Sequence, residues 1–357
     1  MNSTGDGAFQ AGRRQARSLD IESGRVEMSH GAGGRAMSDL IDLLFRQAFD
    51  NPMLNQGNDQ ARFDTEPGPM VMTTDSFVIS PLFFPGGNIG SLAVHGTVND
   101  LAMGGAEPLY LTAGFILEEG LPLADLARIV EAMADAASTA GVSIVTGDTK
   151  VVERGKGDGV FINTAGLGRV YPGVRVSAEL ARPGDQIIVS GSVGDHGVAV
   201  MSQRRGLQFE TALESDSASL NRLVARMVEV AGPELRVLRD PTRGGLAATL
   251  NEIAHQAGVG MTLQEQRLPV RAEVKGACEL LGLDPLNVAN EGKLIAIVDA
   301  ARAGPLVDAM QSDPLGQSAA VIGEVTEDPL QLVRMVTQVG GERVIDWLHG
   351  EQLPRIC

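Results

Sequence analysis

The chain has 357 residues, enough for two domains of ordinary size, and a formal net charge of −16. So acidic a chain has no overall attraction for nucleic acid or an anionic membrane, and a bound polyanion must be met by cations and local N–H groups. No apolar run approaches the ~20 residues of a membrane span, and 44 glycines against 4% aromatics suit backbone-lined phosphate sites better than base stacking.

Residues 1–22 read as a disordered leader rich in Gly, Ser, Asn, Gln and Arg. No apolar stretch follows Arg13, Arg14 and Arg17, so this is not a secretory signal. The two cysteines, Cys278 and Cys357, lack a CxxC partner, and a reducing cytoplasm is expected. A first unit, 23–180, opens on His30-Gly31-Ala32-Gly33-Gly34 before an amphipathic helix, a place where free N–H groups can cradle phosphate; a flexible linker is the plainer alternative. A strand is predicted over 70–79, and Asn88 is placed to cap a helix reaching about Met103. A strand over 110–117 follows. Leu123, Leu126, Ile129, Val130, Met133 and Ala137 then recur at helical spacing until Gly141. A short strand over 142–145 leads into Thr146-Gly147-Asp148-Thr149-Lys150, and a strand over 160–170 closes the unit.

The second unit, 183–338, begins with a strand over 186–190, a glycine loop and a helix from about Val198. Further helices are expected over 217–231, after Asp240-Pro241-Thr242-Arg243-Gly244-Gly245, and over 272–281, where Cys278 reads as a packed thiol. A strand over 294–298 follows. The mixed order of strands and helices predicts an α+β protein of two layered α/β domains, not one doubly wound sheet. The tail, 339–357, has paired glycines and Pro354 and reads as an extended, movable arm. Fully extended, it would reach roughly 60 Å at ~3.3 Å per residue.

Four aspartates fall at predicted strand ends or junctions: Asp75, Asp100, Asp148 and Asp240. Hard cations such as Mg²⁺ take oxygen ligands and link carboxylates to phosphates, although any one of these residues alone could be a cap or turn residue. Gly191-Ser192-Val193-Gly194-Asp195-His196-Gly197 fails the dinucleotide-loop spacing. Gly292-Lys293 lacks the upstream spacing and hydroxyl of a P-loop. Arg243 beside a helix start favours an anion, and Glu291 is a candidate base or a residue of a solvated turn. Lys150 is a phosphate contact or a surface lysine. Cys357 is a frayed end or a carrier thiol.

Together, HGAGG (30–34), TTDSFVISPLFFPGGNIGSLAVHGTVNDLAM (73–103), TGDTKVV (146–152), GDHG (194–197), DPTRGGLA (240–247), NEG (290–292) and the terminal PRIC (354–357) resemble the HypE family. These are carbamoyl dehydratases of nickel–iron hydrogenase maturation, within the PurM-like superfamily of ATP-dependent enzymes. The resemblance covers residues 26–357. DPTRGG is shared across the superfamily, whereas the long block and PRIC are specific to HypE. It implies two PurM-like domains, the N-terminal one forming a homodimer through its sheet, with ATP near that interface. HypF would load a carbamoyl group onto Cys357, ATP would drive its dehydration to an S-cyanate, and the cyano group would pass to iron held by HypC–HypD. Mapped by the resemblance, Asp75, Asp100, Asp148 and Asp240 would hold Mg²⁺. Lys150, His30, Gly31, Gly33 and Gly34 would contact phosphates, with Asn99, Thr242, Arg243 and Gly244 also on the nucleotide. Glu291 would accept the proton, with Asp100 and Lys150 beside it in the catalytic set. Selenophosphate synthetases share the DP-T-x-GG element, but their reactive N-terminal cysteine has no counterpart, since no cysteine precedes Cys278.

Overall fold

The computed structural model describes residues 19–58, 60–206, 213–347 and 355–357. Most of the expected leader (1–18) and part of the arm (348–354) lie outside the described residues. A turn of 3-10 helix, Met28–Gly31, leads into α1 (Arg35–Leu40), a π-helical turn (Ile41–Phe45) and α2 (Arg46–Ala48). After β1 (Met70–Phe77), the small hairpin β2 (Phe83–Phe84) and β3 (Gly87–Asn88) ends where α3 (Ile89–Met103) begins. Asn88 caps α3 as its sequence predicts: its Oδ1 accepts from the N–H groups of Gly90 and Ser91, a cap of the kind worth ~1 kcal/mol. Next come β4 (Ala106–Glu118), α4 (Leu123–Ala140), β5 (Ser143–Val152) and β6 (Val160–Val170). Gly141 ends α4 in the left-handed conformation at φ 78°.

These strands form a sheet in the order β1-β6-β4-β5, antiparallel except between β4 and β5. Buried Leu92, Leu126, Ile129 and Met133 place α3 and α4 over one face. The other face is open and presents Met72 (76% exposed) and Ile116 (45% exposed). The structure corrects one boundary here. β5 does not stop at Val145 but runs through Thr146 to Lys150, because parallel pairing with β4 satisfies its backbone and keeps that polar stretch extended.

The second unit contains β7 (Gln186–Val189), α5 (Asp195–Arg205), α6 (Asn221–Ala231), β8 (Leu235–Arg239), α7 (Gly245–Ala257) and β9 (Gly260–Gln264). It continues with α8 (Ala272–Leu281), β10 (Ile295–Val298), α9 (Ala300–Gln311), β11 (Ala320–Thr326), β12 (Val333–Val336) and β13 (Glu342–Ile345). The seven strands are ordered β13-β12-β9-β11-β7-β10-β8. Helix α6 starts at Asn221 rather than Ser217, because the preceding residues bond across to the first unit: Ser215 N–H donates to the Pro85 carbonyl and Leu220 N–H to Asn99 Oδ1. Ala102 and Met103 of α3 pack into the same core as Leu220, Leu223 and Met227, so the two units are joined by apolar contact. The arm is anchored at both described ends. β13 extends the sheet at β12, and Ile356 forms an antiparallel bridge with Ile79 just beyond β1.

Candidate active site

The join between the units is a cleft lined by carboxylates. Asp75 comes from β1, Asp100 from the last turn of α3, Asp240 from the end of β8 and Glu291 from the turn before β10. Asp75 and Asp100 meet because β1 lies beside α3: Thr73 donates its hydroxyl to Asp100 Oδ2 at 2.7 Å, and Asp75 Oδ2 lies close to Gly96. Desolvation raises the Asp75 carboxyl; the Ser76 N–H, at 2.7 Å from Oδ1, and Arg243 oppose it. Desolvation likewise raises Asp100, against the Thr73 bond and with Asp75 pushing the same way. Asp240 is pushed up to about 7, first by desolvation and then by Asp100. Glu291, 3% exposed, is raised well above the ordinary carboxylate range by burial and by Asp240, Asp216, Asp75 and Asp100.

Cys357 lies in this cleft. Its carbonyl accepts from Val78 N–H at 3.0 Å, and Arg243 Nη2 stands 3.7 Å from its Sγ. Burial pushes the thiol up to about 12, with Glu291 adding to the rise and Arg243 opposing it. The docked sulfur is therefore a neutral thiol at ordinary pH, not a thiolate nucleophile. Arg243 precedes the start of α7, where Gly244 (φ 81°) and Gly245 (φ 63°) turn the chain. A Cβ on Gly245 would come within 2.6 Å of the Leu286 and Val288 carbonyls, so glycine is required for this close approach. Thr242 N–H bonds back to the Asp240 carbonyl at 3.0 Å, which places Thr242, Arg243 and Gly244 on the turn beside Asp240.

Within the one chain, the residues assigned from sequence do not all meet in this cleft. Asp148 does not join Asp75, Asp100 and Asp240. It pairs in register with Gly114, Asn163 and Ser76, one residue out of phase with Asp75, so strand alternation turns it to the open face of the sheet. There it binds Lys150 Nζ at 2.6 Å, and this bond lowers its pKa. Lys150, two residues on, shares that face. The glycine loop also sits at this edge: a Cβ on Gly31 would lie 2.7 Å from Val151 N, and buried His30 accepts from Glu27 N–H at 2.9 Å. Space around Gly33 and Gly34 is open. Three strand spacings, about 14 Å, separate β5 from β1. Finally, the Asn99 side chain is engaged in joining the two units. Its amide donates to the carbonyls of Ala218 and Glu291, and its Oδ1 accepts from Leu220 N–H, which clamps the two units together.

A second layer of buried polar residues was not singled out from sequence. Asp216 accepts the Glu291 N–H at 3.1 Å and pairs with Lys293 at 3.2 Å. Asp195 accepts from Ser192 and lies 3.6 Å from Arg271. Asp216, paired with Lys293, fixes the turn that carries Glu291. The GDHG motif was the one sequence signal pointing here; Asp216 has none.

Among the described residues, no group of three or more His, Cys, Asp or Glu forms a ready-made metal cage. The cleft nevertheless fits a cation that arrives with phosphates. Its carboxyls raise one another's pKa, and Glu291 Oε1 is buried without a hydrogen-bond partner among the described residues. The Asp240 shift gives a test with a defined sign. Below the ordinary 3.8 the carboxyl is neutral whether folded or unfolded, so its stabilising contribution is complete; as pH rises towards about 7 the unfolded form ionises first and stability is lost. In buffer free of divalent ions, Asp240→Asn should melt above the parent at about pH 8 and close to it at about pH 4. An unchanged pH slope would contradict the cluster.

Residues 57–170 match the family "AIR synthase related protein, N-terminal domain" and residues 182–334 its C-terminal counterpart. Fold and cleft thus define a two-domain protein of the AIR synthase-related, PurM-like class. The chain is 64% identical over 339 residues to "Carbamoyl dehydratase HypE" of Azotobacter vinelandii, covering 95% of this chain and 99% of that one. Among solved structures, HypE in complex with ATP has a TM-score of 0.89 at 52% identity, covering 92% and 99% of the two chains. A HypE–HypF complex has a TM-score of 0.77 at 50% identity, covering 87% and 99%. The chain belongs to the HypE family and is a carbamoyl dehydratase of hydrogenase maturation. Among the described residues, no helix is long and apolar enough to cross a membrane.

Proposed function

We propose that the chain dehydrates an S-carbamoyl group on its own Cys357 to an S-cyanate, using ATP and Mg²⁺, and so supplies cyanide for a hydrogenase iron centre. The observation that carries this reading is the seating of the terminal thiol against Arg243, in the field of Glu291 and Asp75. An amide oxygen leaves poorly; ATP supplies the phosphoryl group that lets it depart as phosphate, and Mg²⁺ offsets the charge. Asp75, Asp100 and Asp240 would hold the cation, and the α7 start with Thr242, Arg243 and Gly244 would meet phosphate. Glu291 would take the N–H proton as C≡N closes. Burial of Glu291 and partial burial of Cys357 support exclusion of water, which would otherwise return the carbamoyl group by hydrolysis.

The high thiol pKa in the cleft favours loading elsewhere, with the arm withdrawn towards a carbamoyl donor. That donor is HypF, by the likeness to the HypE–HypF complex, and the cyanide acceptor would be HypC–HypD in the cytoplasm. The open sheet face, with Met72 and Ile116 exposed, supports a homodimer packed through it. Such packing would cover Asp148, Lys150 and the face they share, and would bring that edge near a nucleotide. Infrared spectroscopy tests the chemistry. After loading by HypF, ATP and Mg²⁺ should produce a nitrile stretch on the protein. Asp100→Asn should reduce its rate by roughly a hundredfold or more, as expected when a phosphoryl-site charge is lost. A normal rate in that variant would remove Asp100 from the site.

A further inference from the structure

The last residues of the chain are gripped from several sides. Val78 N–H donates to the Cys357 carbonyl at 3.0 Å, and Ser80 N–H to the Arg355 carbonyl at 3.3 Å. Between them, the Ile356 carbonyl faces His196 Nε2 at 2.8 Å. A carbonyl only accepts, so Nε2 carries the proton. Complete burial lowers the ring's pKa and favours its neutral form, in which Nδ1, 2.8 Å from Ser215 Oγ, accepts from that hydroxyl. Ser215 Oγ accepts in turn from Ser217 N–H at 3.0 Å, so each bond of the neutral chain has one direction. His196 is wholly buried, and Phe84 stands edge-on to its ring at 5.5 Å. Arg204 spans the bridge from outside, donating from Nε to the Ser80 carbonyl at 2.8 Å and from Nη2 to the Arg355 carbonyl at 2.7 Å. Chain ends fray unless tied down, and among the described residues 355–357 each carbonyl is held.

We propose that His196 is a positioning residue for the terminal cysteine: its bond to the Ile356 carbonyl, with Arg204 closing over the Arg355 carbonyl, sets Cys357 Sγ against Arg243 and Glu291. This rests on the reading of Cys357 as the carrier. It adds that the register of the last peptide, and not only the reach of the arm, delivers the sulfur. The same segment that orients His196 through Ser215 also orients Glu291, since Asp216 accepts the Glu291 N–H. Arm and base are therefore referenced to one frame, where a displacement of about 1 Å can cost a hundredfold in rate.

Peptide-resolved alkylation of Cys357 in the full-length protein reads the seating without any carbamoyl chemistry. His196→Phe removes the donor and should speed alkylation about tenfold, the value of one ordinary buried hydrogen bond. ATP-driven single turnover of the HypF-loaded protein should slow by a similar factor. His196→Gln, which retains an N–H donor, should recover most of both. Arg204→Gln, nearer the surface, should move both readouts the same way by a smaller factor, and it serves if His196→Phe does not fold. Unchanged alkylation in His196→Phe and Arg204→Gln overturns the proposal, as does faster alkylation with undiminished turnover. If the parent protein loads Cys357 but never dehydrates it, the functional reading fails, while alkylation still judges the latch.

Discussion

Cys357→Ala should abolish cyanate formation and leave ATP binding within about a factor of a few, because the sulfur it removes is the atom proposed to bear the carbon. The cleft is built from Asp75, Asp100, Asp240 and Glu291, none of which needs the thiol for its place. Thr73 fixes Asp100, and the backbone bonds of Glu291 to Asp216 and Asn99 fix the base. The Val78 and His196 bonds to the tail are made to carbonyls, so alanine can still dock. Equilibrium ATP binding and cyanide release, measured side by side, separate the two roles. Cyanide release from the alanine protein would refute the carrier assignment. Loss of ATP binding would make the tail part of the nucleotide site.

Glu291→Gln should have the next largest effect, a fall in dehydration rate of roughly 10²–10⁴ with ATP binding preserved. Glutamine keeps the shape and the main-chain bonds but cannot take a proton. In the cation-free protein, burial and the neighbouring carboxyls raise the Glu291 carboxyl and favour its protonated form. Positive charge entering beside Asp240 and Asp100 would favour the carboxylate that the proposed base role needs, which would make activity and cation loading interdependent. Single-turnover rates at saturating ATP check this, with binding measured on the same variant. A variant that loses binding in proportion to rate would make Glu291 a ligand and not a base.

Much of the first unit was legible because its signals are local. Asn88 caps α3, and the apolar spacing of α4 ends at Gly141. The second unit hid more. β8, β9, β12 and α9 are short or lack a strong amphipathic pattern, so neither alternation nor helical spacing marks them, whereas the wholly apolar run of β10 is read correctly as a strand. Asp148 shows the limit for the site. Its neighbours look like a turn in sequence, but pairing with β4 makes them strand, and strand phase sends the carboxylate to the opposite face from Asp75. Asn99 likewise stands next to a cleft residue, yet the structure spends its amide on joining the units. Asp216 and Lys293 meet across a long sequence separation, which no motif records.

For Cys357, docking in the cleft adds to the sequence reading a defined seat, a thiol whose pKa is pushed up to about 12 and the neighbouring carboxyl of Glu291. Intact mass spectrometry of the full-length protein, after incubation with HypF, carbamoyl phosphate and ATP, tests the central claim most directly. The expected result is a carbamoyl adduct confined to Cys357 at early times that gives way, as ATP is turned over in the presence of Mg²⁺, to a species lighter by the mass of one water. An adduct on another residue, or one that returns to unmodified thiol without first losing water, would contradict it.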